Sequence, residues 1–322
     1  MKTFWIVLAV VAVSLLLVLL VSYGCFYLAF YVPRRNKNRQ EEFPMPPGKI
    51  YEPFRETMIA WMKELRSMPC EEFFISSFDG LRLCARFYEY APGAPIELMF
   101  HGYRGSAERD LCGGVQRCFA LGRSALIVDQ RGSGKSDGNV ISFGINESRD
   151  CLSWVDFAIE HFGPDVRIVL TGISMGAATV MVAAGKPLPK NVVGVLADCG
   201  YTSPKEIIKR VIGKLKLPAN LLYPFVKLGA RLYGGFDLES TSPIEAMKNC
   251  SVPIIFCHGE ADDFVPCDMS RANFAACTAK KKLLTVPEAG HGLGYLVDGR
   301  GYLTALAEFA PNWGLSVPKV QF

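Results

Sequence analysis

A chain of 322 residues, half of them hydrophobic, is long enough to bury one large domain and to carry an attachment besides. Its 35 basic and 31 acidic residues leave a net charge of +4, too mild and too dispersed to form a nucleic-acid surface, so no nucleic-acid partner is expected. The 11 cysteines are odd in number, scattered, and partly set in apolar runs such as IIFCHG, which reads as a reduced core; without CxxC, HExxH or a His-rich tract, neither a metal site nor a cofactor is expected.

The chain opens with Phe4 to Val32, a stretch without a single charged residue. As a helix it would run roughly 40 Å at ~1.5 Å per residue, enough to cross a ~30 Å hydrocarbon core with some tilt. A secretory signal has a shorter apolar region ending in small residues, whereas this run leaves through Ala29, Phe30 and Tyr31. Residues 1–33 are therefore expected to be an uncleaved, single-pass anchor, with residues 4–32 in the membrane. Lys2 stands on one side, and Arg34, Arg35, Lys37 and Arg39 crowd the other, so the positive-inside rule would leave the following domain in the cytoplasm.

Residues 34–70 are charged and then proline-rich, suiting a linker or an N-terminal arm. From 71 to 322 short apolar runs alternate with helix-length amphipathic segments, the signature of a mainly parallel sheet covered on both faces. EFFISSF and LRLCARFYEY, joined through Asp79-Gly80, predict an antiparallel hairpin at one edge. IELMF, SALIVD, VRIVLTG, NVVGVLAD, VPIIFCHG and KKLLTVP complete eight strands. Helices are predicted over 107–121, 146–161, 174–184, 268–279 and 302–310.

In open sheets of this kind, chemistry gathers in the loops after the carboxyl ends of the strands. The segment DQRGSGKSDG, 129–138, ends like a phosphate-binding loop, but the pattern G-x-x-x-x-G-K-[ST] needs glycine five residues before Gly134, and Asp129 stands there. A nucleotide-binding protein is thereby disfavoured. After VRIVLT comes Gly172-Ile173-Ser174-Met175-Gly176, a G-x-S-x-G motif between a predicted strand and a predicted helix. The sharp turn needs small residues two before and two after the serine, whose Oγ is then exposed at a helix N-terminus that favours developing negative charge.

A serine hydroxyl needs a base to take its proton, and a third group to orient that base. In the chain order serine, acid, histidine, only His258 and His291 follow Ser174, and only His291 has an acid-bearing loop before it, HGEADDFVP. That loop offers Glu260, Asp262 and Asp263. His101 and His258, each beside a glycine, are expected to be structural.

With these motifs in hand, the chain resembles the α/β-hydrolase superfamily, close to its serine-hydrolase and prolyl-oligopeptidase-like branches. HGYRG (101–105) resembles the family's oxyanion loop, GISMG its nucleophile elbow, HGEADDFVP its acid loop and EAGHG its histidine loop. DQRGSGKSDG resembles its loop after the fourth strand, with Arg131 and Ser136 as ties. The resemblance covers roughly 71–309 and implies an α/β-hydrolase fold in which Ser174, His291 and Asp262 form a triad, with Asp263 the alternative acid. It also implies an oxyanion hole made by the backbone N–H groups of Tyr103 and Met175. The implied function is hydrolysis of an ester, thioester or small amide, as a carboxylesterase or lipase-like enzyme, with a small acyl substrate, lipid included; a serine peptidase is the alternative.

Between NVVGVLAD and VPIIFC about fifty residues replace a short crossover, and an insert there, about 201–249, implies a small helical lid. Ile207, Ile208, Val211, Ile212 and Leu215 make one face of a helix; Lys205, Lys209, Arg210, Lys214 and Lys216 make the other. The expectation is an apolar face on the pocket and charges in water.

Overall fold

The structure, a computed structural model, describes residues 1–33, 42–310 and 313. Eight strands form one sheet: β1 (Glu71–Ser76), β2 (Arg82–Tyr88), β3 (Ile96–Phe100), β4 (Ser124–Asp129), β5 (Ile168–Ile173), β6 (Val192–Asp198), β7 (Ile254–Gly259) and β8 (Lys281–Val286). Their order is β1-β2-β4-β3-β5-β6-β7-β8. The β1–β2 and β2–β4 pairs are antiparallel and the rest are parallel, so the hairpin read from Asp79-Gly80 does lie at the edge. The central strands are buried on both faces, which is why they read as continuous apolar runs rather than as alternation.

On one face lie α4 (Ile145–Phe162), α5 (Met175–Ala184), α8 (Pro243–Met247) and α9 (Cys267–Ala276), with Trp154, Val180 and Met247 packed on Leu98, Leu170 and Phe256. All ten residues of α5 are buried, as its small, uniformly apolar sequence requires. The other face is covered by α2 (Arg55–Ser67), α3 (Ala107–Ala120) and α11 (Gly299–Phe309), while α10 (Gly294–Val297) follows the histidine loop. Helix α2 was not anticipated within the proline-rich arm. Met58, Met62 and Leu65 bury one stripe of it, and Gly113 of α3 leaves room for the Trp61 ring, only 2.8 Å from where a Cβ would stand.

Charge is also buried within this apolar sheet. Glu97, the second residue of β3, is fully enclosed with Arg117 and Arg123, accepting hydrogen bonds from Arg117, from Arg123 Nη1 at 2.8 Å and from Thr171 Oγ1 at 2.8 Å. Burial alone would raise its pKa, but the two guanidinium groups outweigh that and bring it down to about 2.

Between β6 and β7 the insert folds as α6 (Pro204–Lys214), α7 (Ala219–Tyr233) and the short α8. Ser203 caps α6, its Oγ accepting from Glu206 N at 3.1 Å, with Pro204 at the first helical position. The insert packs against α1 (Lys2–Ala29), a helix long and apolar enough to cross a membrane. Phe26 and Phe30 share an apolar cluster with Ile207, Val226, Ala230 and Phe236.

Candidate active site

Ser174 ends the turn between β5 and α5 with φ +56° and ψ −113°, a backbone conformation that side chains rarely adopt. Neighbouring contacts hold it there. A Cβ on Gly172 would overlap Gly176 O, and one on Gly176 would overlap Phe100 O, so both glycines are dictated by close backbone approach. Ser174 N donates to Asp198 O at 2.8 Å, and the residue is 7 % exposed.

The loop after β7 brings Asp262 to His291. His291 Nδ1 lies 2.6 Å from Asp262 Oδ2, while Oδ1 accepts from Phe264 N and Val265 N, both at 2.9 Å. Burial would raise the Asp262 pKa, but hydrogen bonds from His258, His291 and the Val265 N–H outweigh it and hold the carboxyl well below the usual carboxylate range. Asp263 points the other way, exposed, with Lys214 Nζ at 3.3 Å from its carboxylate. Glu260 is also outside, beside Arg271 at 3.4 Å. Turn geometry thus separates two adjacent carboxylates that composition left equivalent.

His258 does more than sit beside a glycine. Its Nε2 is 2.8 Å from Val265 O and 3.2 Å from Asp262 Oδ2, so that nitrogen carries the proton and Nδ1 accepts from Ser270 Oγ at 2.7 Å. A second buried imidazole therefore supports the acid from behind.

The oxyanion-type loop after β3 is held from three sides. Gln130 N donates to His101 Nε2 at 3.1 Å, which leaves His101 Nδ1–H to donate to Gly102 O at 2.8 Å. Gly102 N donates to Asp110 Oδ2 at 3.1 Å, and Gly105 N to Gly102 O at 3.1 Å. A Cβ on Gly102 would stand 3.6 Å from Ser174 Cβ, so this loop lies directly against the serine. Tyr103 follows Gly102, and Met175 opens α5; both join the apolar cluster under the insert.

Four contributors carry no sequence motif. Cys199, at φ +46°, places Sγ 4.0 Å from His291 Nε2 and faces the backbone N–H groups of Ser174 and Gly292, which gathers the serine and histidine segments around one thiol. Burial, then the charges of Asp198 and Asp262, push that thiol well up. Cys199, Asp262 and His291 bring ligand-type atoms within 4.8 Å of one another, with the acid and the imidazole already hydrogen-bonded to each other. Asp198, the last residue of β6, accepts from Tyr302 OH at 2.7 Å, and its burial pushes the carboxyl up. Tyr51, from the 3-10 turn Lys49–Phe54, donates its hydroxyl to His291 O at 3.0 Å, so the arm read as a linker reaches the histidine loop.

DQRGSGKSDG is tied as its arginine and serine suggested. Arg131 Nε and Nη2 each donate to Asp150 at 2.7 Å, and Arg131 Nη1 to Asp79 at 3.0 Å. Ser136 Oγ accepts from Cys84 N at 2.8 Å and donates to Asp129 O. A Cβ on Gly134 would overlap the Asp129 carboxylate, and Lys135 projects outward to Glu72. The loop is filled by protein where a phosphate would need space.

Over the site, Tyr103 OH donates to Ala29 O at 2.8 Å, and Arg104 Nη2 donates to Leu28 O at 2.9 Å and Tyr31 O at 3.0 Å. Leu28 and Ala29 carry carbonyls that the last turn of α1 leaves free, and Arg104 sets a cation at that negative pole of the helix. The Tyr103 ring is 5.1 Å from Phe143, and Phe143 is 5.7 Å from Phe30. In α6, Ile207, Ile208 and Ile212 face inward as expected, but Leu215 lies past the helix end and is 65 % exposed. Its basic side is not simply in water: Arg210 donates to Asp263 O at 2.8 Å and to Phe264 O at 3.0 Å, and Lys209 donates to Asn220 Oδ1 at 3.0 Å.

The description "alpha/beta hydrolase fold" matches residues 98–226, which run from β3 through the elbow into α7. The uncharacterized protein YqkD of Bacillus subtilis is 26% identical over 193 residues, 60% of this chain and 63% of its own length, so the matched part leaves over a third of that relative uncovered. Protein bem46 of Schizosaccharomyces pombe is 27% identical over 229 residues, 70% of each chain. Among solved structures, the Pyrococcus furiosus esterase Pf2001 superposes with a TM-score of 0.64 at 20% identity, covering 85% of this chain and 98% of that one, a likeness of fold. With its strand order, its turn between β5 and α5, and these likenesses, the chain has the α/β-hydrolase fold.

Proposed function

We propose that the protein is a serine hydrolase that cleaves a carboxylic ester through Ser174, His291 and Asp262. The observation that carries this reading is the 2.6 Å contact between His291 Nδ1 and Asp262 Oδ2, set beside a serine held at φ +56° by two glycines. His291 takes the Ser174 proton as Oγ attacks the ester carbonyl carbon. The alkoxide then leaves with that proton as the C–O bond breaks, and water repeats the sequence on the acyl-enzyme to release acid and free serine. Asp262 fixes the imidazole tautomer and stabilises its charged form. The backbone N–H groups of Met175 and Tyr103 receive the developing oxyanion, each worth about 10²–10³ in rate. The helices of the insert act as the lid. An ester is favoured over a peptide bond because the esterase Pf2001 spans 98% of its own length on this fold, with no additional domain.

The same reading takes α1 as an uncleaved anchor, since cleavage after it would strip Phe26 and Phe30 from the apolar cluster under the insert. The basic residues Arg34, Arg35, Lys37 and Arg39, on which a cytoplasmic domain rests, lie outside the described residues; protease accessibility in intact cells tests that side. For the chemistry, a fluorophosphonate probe should label the full chain at Ser174. Equal labelling of Ser174→Ala would overturn the proposal, and p-nitrophenyl esters run beside aminoacyl anilides separate esterase from peptidase.

A further inference from the structure

The loop after β3 is tied at both of its ends by the domain beneath it. His101 and Gly102 are held by Gln130 N and the Asp110 carboxylate, and Gly105 O accepts from Ser133 Oγ at 2.7 Å. The two residues between them reach elsewhere. Tyr103 OH donates to Ala29 O, and Arg104 Nη2 to Leu28 O and Tyr31 O, each at 3.0 Å or less, so the crest of the loop rests on the end of α1. Arg104 holds φ +51°, a left-handed conformation that is costly for a side chain and persists only where surrounding contacts outweigh it. Its guanidinium also lies 5.2 Å from the Tyr103 ring, so the two side chains meet the helix as a pair.

A support must itself be fixed, and the end of α1 is. Val32 N donates to Asn139 O and Ile141 N to Phe30 O, both at 2.8 Å, around an antiparallel bridge between Tyr31 and Val140. Earlier in the helix, a Cβ on Gly229 of α7 would overlap Ser22 O, so the two backbones touch there. Phe30 is fully buried. The carbonyls of residues 28, 29 and 31 are therefore acceptors at settled positions.

We propose that the end of α1 positions the oxyanion hole: Tyr103, through its side chain, and Arg104 are positioning residues that set the Tyr103 N–H, and turnover depends on α1 being seated. This rests on the serine-hydrolase reading above. An oxyanion donor works within about 2.7–3.1 Å of the developing charge, and a displacement of about 1 Å costs up to ~10²-fold. Gly102 fixes one side of the Tyr103 peptide, and the contacts with α1 fix the other. The ester carbonyl carries no full charge until the serine has attacked, so turnover responds to this support and ground-state binding does not.

The full chain in phosphatidylcholine vesicles should be assayed with p-nitrophenyl butyrate, rates being counted per Ser174 titrated to completion with fluorophosphonate so that unfolded protein drops out. Arg104→Ala is expected to lower kcat about tenfold with KM within about twofold, short of the ~10²–10³ of losing the donor outright. Tyr103→Phe, which loses only the hydroxyl, should lower kcat about threefold. Arg104→Lys keeps a donor for these carbonyls and should recover part of the loss. A merely structural role would not move the affinity for an alkyl trifluoromethyl ketone in step with kcat. Ser174 Oγ adds to its carbonyl carbon, the π pair becomes the oxyanion and the proton passes to His291, so its inhibition constant should rise by the factor that kcat falls. Tyr233→Phe, which removes a hydrogen bond to Leu19 O without touching the loop, should change neither. Unchanged kcat in Arg104→Ala, a loss without the matching rise in that constant, or an equal loss in Tyr233→Phe overturns the role of α1, while labelling of Ser174 in wild type leaves the hydrolase standing. Absence of that labelling overturns both.

Discussion

Met175, next to Ser174, and Phe30 belong to one apolar cluster under the insert, but the serine turn and Phe30 are held by different kinds of contact. Around the serine, main-chain groups at the ends of strands and loops dominate: Gly172 against Gly176, Gly176 against Phe100 O, Ser174 N on Asp198 O, and Asp262 Oδ1 on the N–H groups of residues 264 and 265. Around Phe30 they are side-chain and long-range, joining the start of the chain to Phe143, Ala230 and Phe236. The floor of the site is therefore fixed by close main-chain approach, and the roof by side-chain packing between segments far apart in sequence. On the proposed reading, the chemistry belongs to the floor.

The sharpest way to break that division is at Asp262. Asp262→Asn should lower ester kcat/KM by about 10⁴-fold without unfolding the chain, because the imidazole loses its orienting charge. Asp263→Asn, which faces Lys214 at 3.3 Å, should change it less than about threefold, an exposed pair being worth little. Equal losses in the two would show that the acid is not the one the loop geometry selects.

Beneath the floor, Glu97→Gln should cost about 3–5 kcal/mol of stability in denaturant unfolding, since it leaves Arg117 and Arg123 buried without their counter-charge. The sign of the pH dependence follows from its depressed pKa. Glu97 contributes stability that is fully present above its ordinary value of 4.5 and is lost as pH falls toward about 2, so wild type should weaken more steeply across that window than the variant, which keeps only the other depressed carboxylates such as Asp262. A variant that loses stability with the same acid slope would place that slope elsewhere.

The joint between floor and roof is Arg104, whose guanidinium meets two carbonyls at the end of α1. Arg104→Ala should cost about 1 kcal/mol in thermal unfolding of the full chain, as expected for an exposed, charge-assisted contact. In a chain lacking α1 the same substitution should cost nothing measurable. A loss that persists there would mean that the arginine serves the loop itself.

How much of this could be read beforehand divides along the same line. The elbow, the acid loop and the histidine loop were legible because strained turns demand glycine at particular spacings and because a base must follow its nucleophile. The residues alone did not separate Asp262 from Asp263, and only the family resemblance chose Asp262, since the fold of the loop decides which carboxylate turns inward. The 3.6-residue period placed Leu215 on the buried stripe of α6, but the helix stops at Lys214 and leaves it outside. Helix α2 was hidden behind its proline-rich approach. The docking of α1 had no periodic signal at all, because a helix apolar all round does not announce which of its turns meets protein. Cys199 and Tyr51 reach the histidine only through tertiary structure.

The hydrogen bond from Tyr233 to Leu19 spans 214 positions of sequence. During synthesis the first helix therefore emerges and must be accommodated long before α7 exists to receive it, and loop-closure entropy makes this contact among the last to form. Completion of the roof is thus a late step in folding, and until it is reached Phe26, Phe30, Val226 and Ala230 lack the apolar neighbours that bury them, a patch of the kind that quality-control machinery finds.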